Sequence, residues 1–284
     1  MAICWINGDW LPPEEARVSV LDRGFMFGDG VYEVLPVYQG KPFSVPEHLA
    51  RLARSLQEVR ISPPMPDSDW KQLITEGVRR CGAPFASVYI QVTRGVATER
   101  RHEFPAAEPT VLLMVTGAPG LERREIRPLD MVTLEDYRWG KGHIKSISLL
   151  ANGLLRNEAM ALGADDAILI RDGYVTEATA SNVFIAKNGI IATPARSNYL
   201  LHGITRDHVL NLVRREDLPV EERNVSLEDL ASADEIWVTS TGHEAWPVGT
   251  LNGKVVGNGQ GGIIWTEVDT LFQQLKADFL EHDS

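Results

Sequence analysis

Turn dipeptides do most to limit what this chain can fold into. Asn7-Gly8, Gln39-Gly40, Asp172-Gly173, Asn188-Gly189 and Asn252-Gly253 each stand between short apolar or β-branched runs. Such pairs accept the positive φ of a tight reversal, so each predicts a hairpin of two neighbouring antiparallel strands. The strands so marked include 31–38 returning as 42–45, 167–170 returning as 174–176, and 183–186 returning as 190–193. Apolar runs predict further strands at 86–93, 110–116, 130–134 and 236–239. Leu49, Leu52, Leu56 and Val59 recur at spacings of three and four behind Pro46 and Glu47, which predicts a helix over 46–59. Comparable helices are expected at 67–80, 149–162, from Thr205 onward, and at 265–280. Hairpins interleaved with helices make an α/β (α+β) protein.

A chain of 284 residues exceeds the size at which a single core stops growing, so two domains are expected. Gly117-Ala118-Pro119-Gly120 is the best break, giving residues 1–118, a linker over 119–123, and 124–284. With 44% hydrophobic and 24% charged residues, each part can hold a packed interior. A net charge of −11 argues against nucleic acid or an anionic membrane as the main partner. Two cysteines, Cys4 and Cys81, cannot form a disulfide framework, and no Cys/His set has zinc spacing. The opening MAICWINGDW lacks the basic start and apolar core of a signal peptide, so a cytoplasmic location is expected.

Lys145 stands out as a candidate for chemistry. Gly140, Gly142 and Ile144 precede it, Ser146, Ile147 and Ser148 follow, and a poorly solvated ammonium there would lose its proton readily and become a nucleophile. The plainer reading is a surface lysine. Glu177 follows in TEATASNVF. Upstream, DRGFMFGDG packs three glycines among aromatics and predicts a loop whose backbone approaches something closely. Tyr32 and Glu33 alternate faces on the next strand, so one enters a site as the other leaves it. Arg51 lies off the apolar stripe of its helix. RGVATERRHEFP gathers Arg94, Arg100, Arg101 and His102, either a solvated loop or a carboxylate clamp. The helix capped by Thr205 and the turn Ser240-Thr241-Gly242-His243 both suit a phosphate.

A reactive amine, a strand-end acid and two phosphate-capable turns are what pyridoxal 5'-phosphate requires. The run from Glu177 to Phe184, with Thr193 and then LHGITR over 201–206, resembles the signature of the class IV aminotransferases, the fold-type IV pyridoxal-phosphate enzymes. DRGFMFGDGVYEV, VPEHLARL, YIQVTRG, HIKSISLL and VTST extend the likeness over nearly the whole chain, most closely to members acting on D-amino acids. The resemblance implies a two-domain homodimer that transaminates between a D-amino acid and a 2-oxo acid. It also implies Lys145 as the Schiff-base lysine and Glu177 as partner of the ring nitrogen. Arg51, Ile204, Thr205 and Thr241 would hold the phosphate, with Ser181, Asn182, Leu201, Gly203 and Ser240 completing the cofactor bed. Tyr32, Arg100, His102 and Arg138 would meet the substrate. The chain carries one residue more than the usual pattern between Gly95 and His102, so the carboxylate arginine is Arg100 or Arg101 according to the direction of counting. Aminodeoxychorismate lyase and branched-chain L-aminotransferase share the fold, but neither needs the Arg-x-His pair. A non-catalytic binder is disfavoured by the presence of both Lys145 and Glu177.

Overall fold

The computed structural model describes residues 2–122 and 126–282. They form two compact units, Met1–Arg124 with Ile144–Leu149, and Glu125–His143 with Leu150–Ser284.

The first unit opens with β1 (Ala2–Ile6) and β2 (Asp9–Leu11), the hairpin expected at Asn7-Gly8, where both residues take positive φ. Next come α1 (Arg23–Phe27), β3 (Gly30–Tyr38), β4 (Lys41–Pro42), α2 (Val45–Glu58), α3 (Asp67–Cys81), β5 (Ala86–Thr93) and β6 (Thr110–Gly117). The sheet order is β2-β1-β6-β5-β3-β4. Leu49, Leu52 and Leu56 of α2 and Trp70, Ile74 and Val78 of α3 close its core against Leu35, Val88, Ile90 and Leu113. Burying each such side chain is worth about 1.5–3 kcal/mol. Two expectations shift. The return strand at 42–45 is only Lys41–Pro42, because Val45 already begins α2. The glycine-rich stretch is not all loop, because Asp22 accepts a hydrogen bond from Gly24 N and caps the one-turn α1, which Gly28 ends at φ 65°.

The second unit contains β7 (Leu129–Glu135), α4 (Leu150–Ala161), β8 (Asp166–Arg171), β9 (Tyr174–Ala178), β10 (Asn182–Lys187) and β11 (Ile190–Pro194). It continues with α5 (Ile204–Arg215), β12 (Val220–Arg223), α6 (Leu227–Ala231), β13 (Glu235–Ser240), β14 (Glu244–Leu251), β15 (Lys254–Val255) and α7 (Ile263–His282). The sheet runs β12-β11-β10-β13-β14-β7-β8-β9, with β15 on β14, and β7 lies parallel to both β8 and β14. A short turn closed by Ala178 N to Ser181 O joins edge strand β9 to interior strand β10, so the sheet curls round its own core. That core draws Met131, Ile168, Val183, Ala192, Val238 and Val248 from six strands. No helix among the described residues is long and apolar enough to cross a membrane.

Candidate active site

In the first unit, the strand that carries Tyr32 also fixes Lys145. Tyr32 N donates to Lys145 O at 2.9 Å, Ile147 N donates to Gly30 O at 3.1 Å, and Val31 bridges Ser146. Residues 145–147 thus extend the sheet beside the first half of β3, whereas β4 pairs with its last two residues. The glycines expected to permit a close approach do so here. A Cβ on Gly28 would lie 2.6 Å from Ser148 Oγ, and one on Gly30 would lie 3.0 Å from Ile147 Cδ1. Lys145 Nζ sits 4.1 Å from the Tyr32 ring centroid, within reach of the ring's negative face.

Glu33 leaves on the opposite face of β3 and is fully buried. Arg51 Nε and Nη2 donate to its two oxygens at 2.7 and 2.8 Å, and His48 Nδ1 stands 2.7 Å from Oε2. Burial works against the Glu33 carboxylate, but Arg51 and His48 outweigh it and hold the group down to about 2. Burial also pushes His48 down, so the neutral ring donates its Nδ1 proton to Glu33. Arg51 therefore reaches its place preset by a carboxylate rather than as a surface arginine. Glu33 was legible only as an alternating neighbour of Tyr32, and His48 not at all; its signal was the three-residue spacing to Arg51 along α2.

The arginine-rich connection is anchored from behind. Arg23 donates to Arg101 O at 2.6 Å and pairs with Asp29 at 2.7 Å, and Arg94 also pairs with Asp29. Arg100 places its guanidinium 4.9 Å from the Phe27 centroid, and His102 meets the same ring edge-on at 5.7 Å. Arg101 instead turns to solvent and pairs with Glu99. Tyr32 packs its ring between Tyr89 and Lys145.

In the second unit, Glu177 ends β9 almost completely buried. Its Oε1 accepts from Arg138 Nη1 at 2.6 Å, and Oε2 accepts from Leu201 N at 2.9 Å and Asn182 Nδ2 at 3.4 Å. Burial pushes its carboxyl up, against the pull of Arg138, leaving a strong hydrogen-bond acceptor. Asn182 also donates to Leu201 O at 2.8 Å, and Gly203 packs so closely that an added Cβ would overlap Asn182 Oδ1. Ser181 is buried beside this pair in sequence.

The N-cap of α5 is Gly203, not Thr205 as the sequence suggested, and no side chain caps it. Ile204 and Thr205 therefore lie in the first turn, where backbone amides lack intrahelical acceptors and favour an anion. Arg206, fully buried, ties the same helix to Pro194 O and Glu222. On β13, Thr239 lies opposite Asn182 with a buried hydroxyl that has no hydrogen-bond partner among the described residues, and Ser240 Oγ accepts from His243 N in the turn containing Thr241. A buried acceptor, an uncapped helix start and an orphaned hydroxyl within one unit fit a phosphorylated heterocycle. Thr239 was missed because its neighbours Ser240 and Thr241 drew the sequence reading.

Arg138, expected at the substrate, is held by carboxylates of its own unit. It is buried, with Nε and Nη2 on Asp136 at 2.9 Å each and Nη1 on Glu177. Arg171 adds a contact to Asp136 at 3.3 Å.

Comparison with known proteins agrees with these features. The family model described as amino-transferase class IV matches residues 30–251. A D-alanine aminotransferase of Bacillus licheniformis is 38% identical over 268 residues, covering 94% of each chain. The Escherichia coli branched-chain amino acid aminotransferase superposes with a TM-score of 0.88 at 24% identity, over 96% of this chain and 94% of the other, a likeness of fold. The T.th. enzyme of the same name, solved with pyridoxamine 5'-phosphate, gives 0.87 at 26%, over 95% and 93%. With most of its length inside the family model and a relative this similar along almost all of it, the chain belongs to the class IV aminotransferases.

Proposed function

We propose that this chain is a pyridoxal-phosphate-dependent aminotransferase that moves the amino group between D-amino acids of the D-alanine and D-glutamate type and 2-oxo acids. The observation that carries it is the 38% identity to a D-alanine aminotransferase over 94% of both chains. Pyridoxal phosphate, when bound, supplies an aldehyde for an amine and a ring that accepts the electron pair left by removal of the substrate Cα proton. Lys145 would be the amine that holds that aldehyde and the base that moves the substrate Cα proton. Glu177 accepts the ring nitrogen's hydrogen bond. Arg51, the Ile204 and Thr205 amides, Ser240 and Thr241 hold the phosphate, while Ser181, Asn182, Leu201 and Gly203 shape the bed of the ring. Tyr32, Arg100 and His102 hold the substrate carboxylate. The active form is a cytoplasmic homodimer, supported by exposed Val20 and Phe25, at 71% and 75%, on the first unit.

Enantiomer choice follows from geometry. Proton removal needs the Cα–H bond to face Lys145, so the side that grips the carboxylate selects the hand of the donor. Initial rates with paired enantiomers of alanine and glutamate, with pyruvate or 2-oxoglutarate as acceptor, should favour the D form strongly. Preference for L-leucine or L-valine would replace this reading with the branched-chain one, and pyruvate release from aminodeoxychorismate would replace it with the lyase.

A further inference from the structure

Asp136 lies between β7 and Arg138 and is almost fully buried, yet touches none of the groups assigned above to cofactor or substrate except through Arg138. Its Oδ1 accepts from Arg138 N and Nε at 3.1 and 2.9 Å, and its Oδ2 accepts from Arg138 Nη2 at 2.9 Å and Thr176 Oγ1 at 2.7 Å. Arg171 stands 3.3 Å away and donates to Arg138 O at 2.6 Å. Arg138 thus spends two side-chain nitrogens on Asp136 and brings Nη1 to Glu177, while Nη2 also reaches Tyr199 O at 3.3 Å.

The charges explain this division. Two carboxylates, Asp136 and Glu177, face two guanidinium groups, Arg138 and Arg171, so the four are neutral together. A protonated ring nitrogen at Glu177 would add one positive charge. Without Asp136 the same four positions would already carry a net positive charge, and a protonated ring would be repelled in a buried setting where screening is weak.

We propose that Asp136 is a positioning residue that offsets the charge of Arg138, so that a protonated ring nitrogen beside Glu177 does not meet an unbalanced guanidinium. The inference rests on the proposed use of pyridoxal phosphate. Arg138 then orients Glu177 while its charge is balanced by Asp136, and through Tyr199 O it steadies the segment whose Leu201 N bonds Glu177.

The test uses the full-length protein loaded with pyridoxal phosphate isotopically labelled at the ring nitrogen and followed by NMR. The unsubstituted protein should give the shift of a protonated ring, Asp136→Asn should move it toward the unprotonated value, and kcat should fall by about tenfold or more. The double variant Asp136→Asn with Arg138→Met restores neutrality and should return the signal toward the protonated position, which a merely structural loss would not do. Thr176→Val, which removes a hydrogen bond to Asp136 but no charge, should leave the signal in place. An unmoved signal in loaded Asp136→Asn, or in the double variant no recovery, would overturn the proposal. If Asp136→Asn does not fold, the double variant decides alone, an unprotonated ring in it counting against the idea. Failure of the unsubstituted protein to take up the cofactor would instead count against the functional reading.

Discussion

Arg100 and Arg101 are exposed neighbours with different contacts, and the difference predicts how each should respond to removal. Arg100 shares the Phe27 ring with His102, whereas Arg101 extends into solvent beside Glu99. Arg100→Ala is expected to lower kcat/KM for carboxylate-bearing donors by roughly ten- to hundredfold, since a charged carboxylate contact is worth about 1.5–3 kcal/mol. Arg101→Ala should change it little, because exposed ion pairs contribute at most about 1 kcal/mol. The reverse pattern in steady-state kinetics would show that the extra residue shifts the register the other way. Lys145 drew attention in the sequence through its local context, and Glu177 through the run TEATASNVF shared with the family. Glu33 and its partners were not legible, because His48 and Arg51 lie 15 and 18 positions away and meet it only after α2 packs on the sheet. The Arg138–Glu177 pair was hidden for the same reason: nothing in sequence joins the two, 39 positions apart.

At the scale of elements, the turn at Gly28 supports the segment that carries the lysine. Gly28 adopts φ 65°, and its carbonyl accepts from Ser148 Oγ at 2.9 Å. Gly28→Ala should cost about 1 kcal/mol from the positive φ alone. Its Cβ must also displace Ser148, and with it Ile147 and Lys145, which hang on Gly30 and Tyr32. A clear drop in kcat with an unchanged circular dichroism spectrum is the expected result; full activity would mean that Lys145 holds its position independently of this turn. Glycine clustering announced a close approach here but not its object, since Ser148 lies 120 positions away. The one-turn α1 was equally hidden, because a helix of five residues has no periodicity to read and relies on tertiary bonds such as Arg23 N to Gly95 O. Longer helices and hairpin turns were read to within a few residues because their signals are local.

For the molecule as a whole, Glu33 links folding to acidity. Its carboxyl has an ordinary value of 4.5 and is held at about 2 in the fold, so its contribution is complete above 4.5 and disappears as pH falls toward 2. The difference corresponds to about 3 kcal/mol. Glu33→Gln should therefore flatten the loss of stability as pH falls from 4.5 toward 2, measured by urea unfolding, while lowering stability at neutral pH by roughly 3–5 kcal/mol through the stranded Arg51 charge. Equal slopes for both proteins would remove Glu33 from the acid response. Sheet order was the least legible property, since β7 lies between β14 and β8 and strand neighbours far apart in sequence leave no local trace.

Residues 144–149 belong to the first unit although the chain on both sides of them belongs to the second, so the backbone passes between the units three times. A protease cut within the first connection would not release two fragments, because the C-terminal piece would still hold a segment bridged to β3 of the other. The same threading restricts how such a gene can be recombined. Exchanging the N-terminal unit for that of another protein at a single crossover would bring in a sheet edge never shaped to receive this lysine segment, so the two halves can diverge only together.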